Sequence, residues 1–102
     1  GAAVSTPNII NSGAAVNLAL SNMHLLNSVG GSTITLSNLV SGGSYTIVVS
    51  DTAQRTYTFS GCTNSYFSPT NGQTFQQSTY SILVVGDGGN NNCYITWVTG
   101  YQ

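Results

Sequence analysis

Residues 44–60, SYTIVVSDTAQRTYTFS, decide the class of fold. Tyr45, Ile47 and Val49 alternate with Thr46, Val48 and Ser50, and Tyr57 and Phe59 alternate with Thr56, Thr58 and Ser60. A period of two filled by β-branched and aromatic residues marks half-buried strands. Asp51-Thr-Ala-Gln lies between the arms, where the Asp51 carboxylate can accept backbone N–H groups and hold a turn. The stretch therefore predicts a β-hairpin with one apolar face and one hydroxylated face. A lone hairpin is marginal in water, so further strands must cover the apolar side.

Towards the N-terminus, Val16, Leu18 and Leu20 alternate on one side, and Ile34 and Leu36 do the same between Thr33 and Thr35. Met23 and Leu25 set against His24 and Leu26 make a weaker strand. Towards the C-terminus, YSILVV (80–85) and CYITWVT (93–99) are apolar on both faces. The segment 61–79 reads as a long irregular connection and GDGGNNN (86–92) as a flexible loop. No helical stripe occurs. The expected fold is all-β, an antiparallel sandwich or flattened barrel of about seven strands. Residues 1–13 read as a linker or stalk remnant and 14–102 as one β-rich domain. Strands apolar on both faces carry more greasy surface than one small core hides, which points to oligomerisation; a thick sandwich centre would also absorb it.

Lys and Arg together number 1, Asp and Glu 2, and charged residues are 3% of the chain, against about a quarter in ordinary domains. Ser, Thr, Asn and Gln make up roughly two-fifths of the residues. Phosphate neutralisation needs clustered cations, so nucleic acid is not an expected partner, and a basic membrane-binding face is excluded for the same reason. No apolar run reaches the length of a membrane span. Acid–base catalysis has little to work with. His24 could combine only with Asp51 or Asp87, and no nucleophile motif marks a serine. The expectation is no enzyme, no cofactor and no metal site, with His24 a hydrogen-bonded structural residue. Cys62 and Cys93 fit one disulfide in an oxidising compartment, which would contribute on the order of 3 kcal/mol; two buried thiols remain the other reading.

A 19-residue connection without structure is unusual unless it functions. Segment 61–79 carries Asn64, Tyr66, Phe67, Asn71, Gln73 and Gln76, aromatic rings beside amides, which suit a sugar's C–H face and hydroxyls. The second loop adds Asp87, Asn90 and Asn91. The competing view has Tyr66 and Phe67 roofing the core and the second loop as a solvated turn. Trp97 reads as core.

The spacing of Leu36, Leu39, Gly42 and Tyr45 resembles the tyrosine corner of fibronectin type III modules. Too many strands follow it for membership of that family. The runs YTFSGC, SPTNG and CYITWVTGY, spread over residues 39–101, are similar to the C-terminal tip domains of trimeric surface and phage tail fibres, including the mosaic adhesive trimer fibres of predatory bacteria. The resemblance implies an intertwined homotrimer, outside the cell, recognising a surface glycan or another envelope component. A pilus-type structural subunit and a plain sandwich spacer are the competing readings.

Overall fold

The computed structural model describes residues 6–51 and 53–102. Among these the protein is all-β. Its strands are β1 (Asn8–Ile10), β2 (Ala15–Asn17), β3 (Met23–Asn27), β4 (Thr33–Ser37), β5 (Ser44–Ser50), β6 (Thr58–Ser60), β7 (Asn64–Ser68), β8 (Gln77–Asp87) and β9 (Asn90–Tyr101). They form a six-stranded sheet, ordered β1-β3-β5-β8-β9-β7, and a three-stranded sheet, ordered β2-β4-β6.

The first six strands alternate between the sheets, and within each sheet they run parallel. The chain thus winds as three stacked coils, β1–β2, β3–β4 and β5–β6. This overturns the expected hairpin over 44–60. The alternation holds, with Tyr45, Ile47, Val49 and Tyr57 buried, but β5 pairs with β3 and β8 while β6 pairs with β4. Asp51 does hold a turn: its Oδ1 accepts from the Ala53 N–H at 2.9 Å and its Oδ2 from Arg55 Nε–H at 3.1 Å. That turn carries the chain across the core into the second sheet. Parallel neighbours need such a crossover, and here the opposite sheet supplies it.

Polar corners fasten coil to coil. Asn27 Nδ2 donates to Asn11 Oδ1 at 3.2 Å, and Asn38 Nδ2 to Asn17 Oδ1 at 2.6 Å. Ser28 and Asn38 take positive φ at these corners, a conformation that short polar side chains tolerate. The strand expected over 15–20 ends at Asn17. Leu18 still points inward, but the chain turns back there (Leu20 N–H to Asn17 O, 3.1 Å) and leaves Leu20 65% exposed. The stretch 1–13 contains β1, parallel to β3.

After the third coil the direction changes. β8 runs antiparallel to both β5 and β9, and Gly88 and Gly89, both at positive φ, join β8 to β9. A two-glycine connection between alternating strands is a tight hairpin. The loop expected over 86–92 is therefore only these two glycines, with Asn90, Asn91 and Asn92 in β9. Segment 61–79 is not structureless either: it contains β7, parallel to β9, and the start of β8. The antiparallel sandwich expected from the sequence gives way to a mixed sheet. The core lies between the two sheets, with Val16, Ile34, Ile47, Tyr57, Tyr80 and Ile95 among its members. Trp97 flanks it, stacked on Tyr80 with centroids 5.8 Å apart, its Nε1–H donating to the Pro69 carbonyl.

Candidate functional site

The outer face of the six-stranded sheet, near the turn between β8 and β9, is where exposed tyrosines and amides collect. Register places Asn64 opposite Asn92, Tyr66 opposite Tyr94 and Phe67 opposite Ile95 across β7 and β9. It also places Val85 opposite Asn92, Leu83 opposite Tyr94 and Asp87 opposite Asn90 across β8 and β9. Successive residues of a strand point to opposite faces, so Asp87, Asn90, Asn92, Asn64, Tyr94 and Tyr66 share the outer one with the exposed Leu83 and Val85. Tyr66 is 51% exposed and Tyr94 47%. Their rings stack with centroids 5.2 Å apart and planes 25° apart. Asn64 Nδ2 donates to Asn92 Oδ1 at 2.9 Å.

The frame beneath this cluster is cross-linked. Cys62 and Cys93 form a disulfide, just before β7 and between Asn92 and Tyr94. Thr63 and Asn91 exchange two hydrogen bonds, Thr63 N–H to Asn91 O at 2.8 Å and Asn91 N–H to Thr63 Oγ1 at 3.0 Å. Gly61 precedes the disulfide at φ +111, where any Cβ would collide with the Leu36 carbonyl. The backbone entering β7 is thereby held against the end of β4.

The structure thus joins Asn64 and Tyr66 from the first predicted segment with Asp87 and Asn90 from the second. Asn91 is adjacent, but its alternation turns it to the inner side. Phe67 points inward and packs on Phe59, with ring centroids 5.9 Å apart. Asn71 is a structural residue, its Nδ2 donating to the Tyr57 carbonyl at 2.7 Å. Gln73 forms an isolated bridge with Thr56. Gln76, at positive φ, precedes β8, the opposite end of the sheet from the 88–89 turn. Sequence reasoning placed Asn92 only in the second candidate loop and missed Tyr94 as a partner of the site. The Asn90-x-Asn92-x-Tyr94 alternation put them on one face, but only the β7–β9 register shows what that face meets.

His24 lies far from this cluster and is fully buried. Its Nε2–H donates to the Ser21 carbonyl at 2.8 Å and its Nδ1 accepts from Asn8 Nδ2 at 3.0 Å. Burial holds it below the ordinary histidine pKa, with the Ser21 carbonyl offsetting part of the effect. Among the described residues no group of three His, Cys, Asp or Glu side chains could hold a metal ion, and none of the helix type that crosses a membrane occurs. Compared with protein-family models, curated proteins and solved structures, the chain matches none.

Proposed function

We propose that this chain is the receptor-binding tip of an extracellular fibre, acting by adhesion rather than catalysis and assembled as a homotrimer. The observation that carries this reading is the division of the outer face of the six-stranded sheet. At the 88–89 end it presents tyrosines and amides on a disulfide-tied frame, beside the exposed Leu83 and Val85. Away from that end it presents an uncharged row from β1 to β9, Ile9, Leu25, Val48, Thr79 and Val98, aligned strand by strand and apolar but for Thr79. Ile9 and Val98 are exposed and the three between them half-buried. A largely apolar row on an uncovered sheet face suits contact with another chain, and exposed aromatic and amide side chains on paired strands suit recognition.

The near absence of charge favours a copy of the same neutral chain as the partner of the apolar row. It also favours an uncharged surface component, such as a glycan, as the partner of the polar end. The disulfide supports a place outside the reducing cytosol. The test is adhesion: fluorescently tagged protein is incubated with intact bacterial and eukaryotic cells, and its mass in solution is measured in parallel. The reading expects a discrete trimer that decorates at least one cell type. A monomer that binds no cell surface would leave a spacer module in its place, and open-ended head-to-tail polymers would favour a pilus subunit.

A further inference from the structure

We propose that the ligand of this site is a neutral glycan chain lying along the open edge of β7, with a pyranose ring against the free face of Tyr66. This rests on the receptor-binding reading and narrows it to a ligand class and a strand edge. At 5.2 Å and 25° the Tyr66 and Tyr94 rings stack with an offset, so each covers part of one face of the other. Among the described residues β7 is the last strand of the sheet on this side. The second face of Tyr66 therefore looks out over the sheet edge, fixed in orientation by Tyr94. A rigid exposed π-face is what the apolar C–H side of a sugar ring requires.

Two residues along the same face of β7, the Asn64–Asn92 pair has spare capacity. Their mutual bond uses Asn64 Nδ2 and Asn92 Oδ1. An amide has two donor hydrogens on nitrogen and an acceptor oxygen, so Asn64 Oδ1 remains as an acceptor and Asn92 Nδ2 as a donor. Side by side they match two neighbouring hydroxyls. Alternate backbone N–H and C=O groups of an edge strand also face outward, which suits a hydroxyl-rich chain. Pro69 closes β7 after five residues and removes a donor just where an added protein strand would continue.

Charge sets the class. The chain's one Lys or Arg, Arg55, is engaged with Asp51 at the turn after β5. The acidic residue on this face is Asp87, opposite Asn90. A sialylated or sulfated sugar would meet repulsion here and no cation.

The test is a glycan array carrying neutral saccharides beside their sialylated and sulfated counterparts, probed with wild type, Tyr66→Ala, Tyr66→Phe and Asn64→Ala, each checked for unchanged circular dichroism and mass. Binding is expected to neutral members, unaffected by EDTA or by moderate salt. It should fall about tenfold or more in Tyr66→Ala and Asn64→Ala and stay within about threefold in Tyr66→Phe, since one factor of ten is the scale of a single lost contact. Preference for charged members, full binding by Tyr66→Ala, no saccharide bound, or a change of mass in Tyr66→Ala that shows a second copy on this edge would each overturn the proposal. Cell adhesion that persists in Tyr66→Ala would overturn the edge site while leaving the receptor-binding reading intact. Loss of all cell binding by the wild type would end that reading itself.

Discussion

Tyr66 and Tyr94 stack across the seam between β7 and β9, one residue pair along the face from the hydrogen-bonded amides of Asn64 and Asn92. The two tyrosines come from segments far apart in sequence, and only parallel pairing of β7 with β9 brings them together. An exposed aromatic pair of this geometry is worth about 0.5–1 kcal/mol beyond its buried area. A double-mutant cycle with Tyr66→Ala and Tyr94→Ala, followed by urea unfolding, is expected to show coupling of that size. Additive losses would mean the rings do not meet in solution.

The disulfide between Cys62 and Cys93 ties the chain entering β7 to β9 between Asn92 and Tyr94. Replacing both cysteines by alanine should cost about 2–4 kcal/mol. Amide hydrogen exchange should accelerate most over Asn64–Ser68, which pairs on one side only. Equal acceleration over β3 and β5 would show that the bridge supports the whole fold rather than this edge.

Gly61 sits where a side chain is refused twice, by φ +111 and by the Leu36 carbonyl. Gly61→Ala should therefore lose about 2–4 kcal/mol, more than an ordinary surface substitution. Gly13→Ala serves as the control: its φ is +71 but a Cβ there meets nothing within 4 Å, so only the backbone cost of about 1 kcal/mol applies. Similar losses at both sites would remove the close approach of β4 from the account.

Burial holds His24 below its usual pKa of 6.5. As pH falls, the unfolded chain takes up that proton before the folded one does. The stabilisation is thus complete above about pH 6.5 and is lost progressively below it. Thermal melts from pH 8 to pH 5 should show the decline, and His24→Gln should flatten it. Because Asn8 donates to His24 Nδ1, protonation also weakens the hold on β1. A melting temperature that rises as the pH falls would contradict the buried neutral ring.

Much of the fold was legible in the residues and much of its wiring was not. Alternation at Tyr45, Ile47 and Val49, or at Ile34 and Leu36, told inside from outside correctly. The same alternation serves a parallel or an antiparallel neighbour, however, so SYTIVVSDTAQRTYTFS could not announce that its arms enter different sheets. Strands meant for one sheet begin at Asn8, Met23 and Ser44, and unequal coil lengths leave no fixed period to detect. The Gly88–Gly89 turn was visible as a hairpin signal but was masked by Asn90, Asn91 and Asn92, a residue type depleted from strands. For the site, residue chemistry singled out Asn64, Tyr66, Asp87 and Asn90. Gln73, Gln76, Asn71 and Phe67 shared that chemistry, and only backbone pairing separates them from the cluster.

The measurement that tests the central claim most directly is the mass of the protein in solution by light scattering across the micromolar range. The account expects three copies of the 10.6 kDa chain, falling to one copy in a Val48→Lys/Val98→Lys variant whose charges interrupt the apolar row without touching Tyr66 or Tyr94. A wild-type chain that remains a single copy throughout, with its outer sheet face bare, would contradict it.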